Sequence, residues 1–187
     1  RFNNAERDFD VLDSNVEDVV YDHAPSRATE IKLSDSTIGY GDPTTFNVTF
    51  GYGESIETEV VPVRFGIGDE KELIYSNGAI IRRDGQNSVM RDEPNFIFGE
   101  RTVLPIIDSR AQSRAISGSG RVLVRTEMSK QDVYNYTTNS TYNITLNVTS
   151  QQTDAWNRYL EAETGNDCTV TGNTVSCDYN STDAVFV

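Results

Sequence analysis

The sequence predicts an α+β fold, in which a long N-terminal amphipathic helix is followed by a predominantly antiparallel β domain, either a sandwich or a curled sheet. Three observations lead to this prediction. Apolar residues repeat every seven positions near the N-terminus, alternating segments divided by turn residues fill the middle of the chain, and two cysteines flank a hairpin signal near the C-terminus. We expect two parts, an amphipathic helix over residues 1–24 and a single β-rich head domain over residues 25–187.

The N-terminal helix is predicted by two sets of apolar residues that form one a/d seam on an otherwise polar and acidic cylinder. Pro25 ends the helix, because proline disfavours helical geometry in the residue before it. His23 then falls in the last turn, where we expect it to interact with the terminal carbonyl groups. No capping residue precedes Arg1, so the helix is expected to continue upstream. The seam consists of Phe2, Ala5, Phe9, Leu12, Val16 and Val19.

The seam needs an apolar surface to lie against, and two interpretations are open. In the first, it belongs to a longer helix that bundles with copies of itself or anchors in a membrane. In the second, it is an ordinary amphipathic helix packed on its own domain. No apolar run in the sequence approaches the roughly eighteen residues of a membrane span.

The composition is acidic and poor in lysine. The chain has 29 Asp and Glu against 16 Lys and Arg, a net charge of -13 and a pI near 4.4, and its lysines are Lys32, Lys71 and Lys130. Such a surface repels phosphate, so nucleic acid is not an expected partner. At 1 M salt the Debye length falls to about 3 Å, and self-repulsion then costs little. We interpret the surface as that of a protein from a halophilic organism. The alternative is an acidic protein from a mesophile that lives at ordinary salt concentration.

Residues 28–125 are predicted to form β-strands divided by turns at intervals typical of an antiparallel fold. Val60–Ile67 is predicted as one strand, and Pro62 places it at an edge or a bulge because proline cannot donate to the ladder. Ser76-Asn77-Gly78 is the strongest hairpin signal, since type I′ turns favour Asn-Gly.

The segment from Val133 to Thr149 alternates, so that where it is extended one face carries Asn and Thr and the other carries apolar residues. Its length predicts a break near Thr138–Ser140. The same residues form overlapping Asn-x-Ser/Thr glycosylation acceptors, which must be exposed. The alternative is a hydrophilic strand face with chance motifs, and sites four residues apart are expected to hinder each other. The acceptors are Asn135, Asn139, Asn143 and Asn147, together with Asn47 and Asn180.

One short helix is predicted near residues 153–163, ahead of a C-terminal hairpin. Thr153 is placed as its N-cap and Gly165 as the residue that ends it. Trp156 is expected to anchor this helix on the sheet, with stacking on a ligand as the alternative. A last strand is predicted from Ala184 to Val187.

The C-terminal β-hairpin is predicted to be closed by a disulfide between Cys168 and Cys177. A two-residue loop at Gly172-Asn173 sets the cysteines opposite each other at a non-hydrogen-bonded pair, where side chains approach most closely. A zinc site is disfavoured, because two thiolates with His23, the one histidine, do not complete a ligand set. A disulfide indicates an oxidising, extracytoplasmic compartment.

Enzyme motifs are lacking from the sequence. There is no Gly-x-Ser-x-Gly elbow, no His-Glu-x-x-His and no phosphate loop, and Gly66-Ile67-Gly68 lacks the third glycine of a dinucleotide site. Acidic pairs such as Asp69-Glu70 and Asp92-Glu93 are expected by chance in so acidic a chain. We therefore predict a protein that is not an enzyme and needs no cofactor or metal.

Five segments spread over most of the chain form a recognisable set: Asn4–Leu12, Ala24–Glu30, Leu73–Ala79, Arg121–Val124 and Asp154–Leu160. Together they resemble the haloarchaeal type IV pilin-like cell-surface proteins. The resemblance implies a hydrophobic N-terminal helix processed by a prepilin-type peptidase and a β-rich head outside the cell. It also implies a role in filaments, adhesion or a membrane-tethered surface layer. The hydrophobic segment of that family is absent from this sequence, which leaves polymerisation open.

The combined expectation is a glycosylated, pilin-like structural or adhesion subunit at the cell surface, anchored in the cytoplasmic membrane through an N-terminal segment. Its expected partners are other pilin-like subunits or surface proteins, and a homo-oligomer is one outcome. The alternative is a monomeric extracellular module that binds carbohydrate or a partner surface protein. A hydrolase with an unrecognised carboxylate pair is a third hypothesis.

Overall fold

The computed structural model describes residues 2–186 apart from 52, 69, 108 and 110–114, without the side chains of 136–140 and 183–186. Its elements in chain order are α1 (Phe2–Val20), β1 (Arg27–Tyr40), β2 (Thr44–Phe50), β3 (Ser55–Val60), β4 (Val63–Ile67), β5 (Lys71–Ser76), β6 (Ala79–Asp84), β7 (Asn87–Asp92), β8 (Arg101–Leu104), β9 (Ile116–Thr126), β10 (Tyr134–Thr149), α2 (Thr153–Thr164), β11 (Thr169–Thr171) and β12 (Thr174–Phe186).

The strands form two sheets that pack face to face. The first sheet has the order β7-β6-β5-β4-β1-β9 and the second has the order β11-β12-β10-β2-β3. Neighbours within these two orders are antiparallel, while β8 lies parallel against β12. The core between the sheets joins Ile74 and Ile81 of the first to Phe46, Val48 and Leu146 of the second. The predicted α+β class with mostly antiparallel strands is confirmed.

The first sheet is buried on both faces along β5 and β6. Leu73 and Tyr75 of β5 belong to the core beneath α1, whereas Ile74 between them belongs to the core between the sheets. Ile80 and Ile81 of β6 divide in the same way, because successive side chains of a strand point to opposite faces. Helix α1, the first sheet and the second sheet therefore form three layers.

Helix α1 turns its heptad seam onto the first sheet. Phe9 is fully buried and meets the ring of Phe65 edge-on, with the centroids 6.4 Å apart. The seam is therefore filled within the chain, as in the second interpretation above, and its buried members have no surface left for the assembly contact that the first interpretation required. Phe2 is half-buried. The buried members are Ala5, Phe9, Leu12, Val16 and Val19.

The helix ends earlier than residue 24. It stops at Val20, and the Tyr21 N–H donates to the Glu17 carbonyl at 2.7 Å to close the final turn. His23 lies beyond the helix with a φ of 56°, and it is exposed. The prediction that His23 sits in the last turn is therefore wrong, because the chain breaks into a left-handed conformation before Pro25.

Polar contacts hold the acidic flank of α1 against the first sheet. The Arg91 guanidinium donates to both carboxylate oxygens of Asp10, with one N–O distance of 3.1 Å. The Asn95 amide donates to Glu17 at 2.7 Å. These contacts fix the direction of the helix across the sheet, and they explain how so acidic a helix packs within an acidic chain.

Asp13 is the carboxylate of α1 whose surroundings oppose its charge. Burial raises the pKa of Asp13 to about 6, and the neighbouring Glu17 carboxylate adds to the shift. The Tyr75 hydroxyl of β5 lowers the pKa in part, while Asp92 of β7 and Asp10 raise it a little further. A charged Asp13 therefore costs stability near neutral pH.

We expect Asp13→Asn to stabilise the fold at pH 7.5 and to have little effect below about pH 4. Because the folded pKa lies above the unfolded value of 3.8, stability is lost as the pH rises from about 4 to about 6. Asp13 is partly exposed, so screening reduces the expected gain to about 1–2 kcal/mol. Urea unfolding of the unmodified protein and of the Asp13→Asn variant across this pH range measures the gain in stability. An equal difference at every pH would contradict the assignment of the penalty to the Asp13 charge.

Pro62 lies at a crossing between the sheets. Strand β3 ends at Val60 and β4 begins at Val63, so the chain leaves the second sheet and enters the first within two residues. The predicted single strand Val60–Ile67 is therefore wrong. Proline has no N–H to give to a ladder, which suits this position between two sheets.

The Asn77-Gly78 hairpin between β5 and β6 is confirmed. Both residues have positive φ, 54° and 78°, as a type I′ turn requires. The buried Asn77 side chain also accepts a hydrogen bond from the Ile107 N–H at 2.6 Å and donates to the Pro105 carbonyl at 3.3 Å. The turn thereby holds the segment that follows β8.

Helix α2 begins one residue away from the predicted cap. Gln152 occupies the cap position without a side-chain hydrogen bond, and the Thr153 hydroxyl instead donates to the Ser150 carbonyl at 2.8 Å. The prediction of Thr153 as N-cap is therefore wrong. Gly165 ends the helix in the left-handed conformation with its N–H on the Glu161 carbonyl, as predicted.

Trp156 anchors α2 in the core between the sheets, as predicted. Its side chain is fully buried, and its ring meets Phe46 at 5.3 Å and Tyr159 at 6.1 Å between centroids, both edge-on. Phe96 closes the cluster at 6.4 Å. This packing leaves the indole no face for a ligand.

The Cys168–Cys177 disulfide is present, with 4.6 Å between the Cα atoms. The predicted pairing of the hairpin is confirmed, since Thr171 lies opposite Thr174 and Val170 lies opposite Val175. The predicted last strand is not separate, because β12 runs on continuously to Phe186.

Strand β10 is also continuous, without the gap predicted near Thr138–Ser140. Its pairing with β12 instead shifts register between Thr137 and Tyr142. Such a shift absorbs the extra length of the strand by inserting unpaired residues on one side.

Candidate functional surface

The outward side of the second sheet is a continuous polar surface, which we call the acceptor face. It arises because β2, β10 and β12 all alternate, and the inward positions of each strand are buried in the core. The outward positions are therefore left to Asn, Thr, Ser and Asp side chains. The acceptor face comprises Thr45, Asn47, Thr49, Asn143, Thr145, Asn147, Thr149, Thr174, Ser176, Asp178 and Asn180.

Four predicted glycosylation acceptors meet on this face in two cross-strand pairs. Asn143 of β10 lies directly opposite Asn180 of β12. Asn147 of β10 lies directly opposite Asn47 of β2. Opposed residues of an antiparallel pair have Cα atoms only about 4.5–5.5 Å apart. The sheet therefore brings together residues that lie far apart in the sequence, which the local pattern did not predict.

Hydrogen bonds connect the side chains of the acceptor face. The Asn47 amide donates to Glu57 of β3 at 3.2 Å, and the Thr49 hydroxyl donates to the Asn47 carbonyl oxygen at 3.3 Å. The Thr145 hydroxyl donates to Asp178 at 2.5 Å. Within an Asn-x-Thr motif on a strand, both polar side chains point the same way, and Asn47 and Thr49 show this arrangement.

The acceptor positions differ in exposure. Asn143 and Asn180 are exposed, whereas Asn47 and Asn147 are half-buried. Asn135 is exposed near the start of β10, where it pairs with Val185. The Asn139 side chain lies outside the described residues.

A polar cavity of about 300 Å³ lies between the first sheet and the loop that precedes α2. Two arginines of its wall bind one carboxylate, since both Arg64 and Arg83 contact Glu72 and the Arg83 contact is 2.7 Å long. The charges of the cavity wall therefore largely cancel, which favours a neutral polar ligand over an ionic one. No local sequence pattern indicates this cluster, because its members come from three different strands, β4, β5 and β6. The lining includes Asp42, Arg64, Arg83, Gln86, Gln151 and Gln152.

Metal and membrane features are lacking in the part of the chain that the structure describes. No group of three or more His, Cys, Asp or Glu side chains is placed to hold a metal ion there. Among the same residues, no helix combines the length and the apolar character needed to cross a bilayer.

The chain belongs to a family of unknown function, DUF7289, whose model matches residues 1–187. No curated protein and no solved structure matches the chain.

Proposed function

We propose that this member of the DUF7289 family is a pilin-like structural or adhesion subunit of the cell surface, without enzyme activity. Its β head carries N-linked glycans on the acceptor face, and its N-terminal helix leads to attachment in the cytoplasmic membrane or in a filament. Its partners are other pilin-like subunits or surface proteins. The resemblance to haloarchaeal pilin-like proteins supplies the anchoring part of this proposal.

The observation that carries the proposal is the convergence of acceptors on one outward face. Asn143, Asn147 and Asn180 lie on two neighbouring strands, and Asn47 lies on a third, all pointing away from the core. A bulky glycan is tolerated only where it does not disturb packing. Glycans on this face would cover one broad side of the head with hydrophilic groups and leave the first sheet and α1 uncovered.

Two further features support a place outside the cytoplasm. The Cys168–Cys177 disulfide is of the kind that persists in oxidising compartments. The net charge of -13 suits a surface exposed to concentrated salt, where repulsion between carboxylates is screened.

The alternative function is a monomeric extracellular binding module, and the polar cavity favours it. Arginine, glutamine and aspartate side chains line that cavity and offer both donors and acceptors to a polyhydroxylated ligand such as a monosaccharide. No aromatic residue lies among the described residues that line it, and these offer a sugar ring no stacking surface. We therefore rank this function second.

The expected result for the glycans is that each cross-strand pair carries at most one. Two branched oligosaccharides do not fit side by side on asparagine side chains whose Cα atoms are only about 5 Å apart. Native protein is therefore expected to carry no more than two glycans among Asn47, Asn143, Asn147 and Asn180. Intact-mass measurement and peptide mapping of protein from the source cells give the count.

Asn143→Gln and Asn180→Gln variants provide the control. Removing Asn143 is expected to raise the occupancy of Asn180, because the competing glycan is gone, and the reverse should also hold. A native mass equal to that of the polypeptide less two hydrogens would contradict glycosylation altogether. Simultaneous occupancy of both members of a pair would contradict the proposed exclusion.

Attachment of the protein to the membrane or to a filament is tested in two ways, by reading the gene and by fractionating cells. The codons that precede Arg1 are expected to encode about twenty apolar residues behind a short basic leader. The native protein is then expected to sediment with the cell envelope and to be cut by protease added to intact cells. A cleavable secretory signal in that place, with the protein free in the medium, would favour the monomeric binding module instead.

A further inference from the structure

Two sheet edges are available for pairing with another chain. The first sheet ends at β7 and β9, and the second ends at β11 and β3. Helix α2 covers part of β7, since Arg158 donates to the Ser88 carbonyl, and β11 is only Thr169–Thr171 beside the disulfide. Within the described residues, β9 pairs only with β1 and β3 pairs only with β2. An edge strand of this kind is a template for pairing.

Strand β9 is basic on its exposed face. Arg121, Leu123 and Arg125 point to the exposed side, while Val122 and Val124 are half-buried toward α1. Leu123 is 67% exposed between the two arginines. The strand contains no Asp or Glu, which sets it apart in a chain of net charge -13.

Strand β3 is acidic where β9 is basic, and its exposed and half-buried positions alternate in the same way. Ser55, Glu57 and Glu59 are exposed, while Ile56 and Thr58 are half-buried. The strand contains no Lys or Arg. The alternation of exposed and half-buried positions therefore matches that of β9 from Arg121 to Arg125.

We propose that β9 of one copy of this chain pairs antiparallel with β3 of a second copy. In the register with Arg121 opposite Glu59, Val124 lies opposite Ile56 on the half-buried face, while Leu123 lies opposite Glu57 on the exposed face. Arg125 then lies diagonal to Glu57, within reach of a long side chain. This inference rests on the proposed function, because it supplies the subunit contact that the buried heptad seam does not.

Pairing of like edges is disfavoured by the same charges. Two β9 strands would bring arginines together, and two β3 strands would bring glutamates together, both of which destabilise a sheet. The contact is therefore heterologous, and a pair of copies keeps one free β9 edge on one copy and one free β3 edge on the other. Repetition of a heterologous contact gives a ring or an open filament.

The present partners of the arginines do not block this contact. Arg121 lies 3.1 Å from Glu30, and Arg125 lies 3.6 Å from Glu127. The arginine side chains are 69% and 68% exposed, so these ion pairs contribute little and are easily exchanged. Pairing over six residues buries too little area for a tight complex. We therefore expect weak association in solution that strengthens when subunits are held close together.

The test is a charge exchange between the two edges. Variant one carries Arg121→Glu and Arg125→Glu, and variant two carries Glu57→Arg and Glu59→Arg. Sedimentation velocity is measured up to about 1 mM chain, where even a contact of about 4 kcal/mol is half populated. Each variant alone is expected to raise the dissociation constant about tenfold or more, because attraction becomes repulsion. An equimolar mixture is expected to associate again, since its edges are complementary.

A matched control and an independent readout complete the design. Arg7→Glu with Lys71→Glu makes the same change of charge as variant one at exposed positions outside both edges and should leave association unchanged. Hydrogen exchange on the unmodified chain should show the backbone amides of β9 and β3 becoming protected as concentration rises. This second measurement does not depend on the variants folding.

Three results overturn the pairing: no association of the unmodified chain at about 1 mM, association that survives both exchanges, or a mixture that stays monomeric. If association fails while glycans and envelope attachment are found, the pairing alone is wrong. If association is found while glycans and attachment are absent, the surface role alone is wrong.

Discussion

Replacing Phe9 with alanine is expected to lower the free energy of unfolding by about 3–5 kcal/mol. The Phe9 ring is fully buried beneath α1 and packs edge-on against Phe65 of β4. Truncation leaves a cavity that the sheet beneath cannot collapse to fill, and α1 loses the contact at its centre. Denaturant unfolding followed by circular dichroism measures the change in this chain without any partner.

Val11→Ala is the matched control on the same helix. Val11 is 52% exposed, so its loss removes little packing, and alanine is the better helix former. We expect an unchanged or slightly higher free energy of unfolding. A small effect of Phe9→Ala, similar to that of Val11→Ala, would mean that the seam is not filled by the first sheet and is free to pack against another chain.

Trp156→Ala is expected to cost a similar amount, about 3–5 kcal/mol, at the other side of the molecule. The indole is the centre of an aromatic cluster with Phe46, Phe96 and Tyr159, and it packs α2 against Phe46 of the second sheet. Its removal is expected to loosen α2 first, which hydrogen exchange of the α2 amides would detect together with the loss of stability.

Trp156→Phe separates packing from hydrogen bonding at that position. The indole Nε1 is buried without a hydrogen-bond partner among the described residues. Such an unsatisfied donor lowers the stability of the fold by about 1–3 kcal/mol. Phenylalanine removes this unsatisfied donor while it keeps one ring in the cluster. We expect a loss of less than half that of the alanine variant. An equal loss would indicate that the indole N–H contributes to the fold.

Local patterns predicted the elements and the faces well. A spacing of seven identified the residues of α1 that are buried, alternation identified the outward asparagines of β10, and the Asn77-Gly78 pair identified a type I′ turn. The Cys168–Cys177 pairing followed from counting outward from a two-residue loop. Each of these features depends on residues close together in the sequence, where the geometry of one helix or one hairpin decides the outcome.

Partners across the chain were not predictable in the same way. The seam of α1 requires an apolar surface, but its spacing does not say whether that surface belongs to the same chain. The crossing at Pro62 and the parallel pairing of β8 with β12 depend on which strands become neighbours, and many weak contacts decide this together. The cross-strand asparagine pairs and the charge match of β9 with β3 became visible only once strand order was known.

The position of β12 bears on the order in which the two sheets can form. This strand follows every other element, yet it lies inside the second sheet, where it joins β10, β11 and β8. A chain synthesised from its N-terminus cannot complete that sheet until β12 has left the ribosome. The second layer therefore closes last, after the rest of the chain is available to fold.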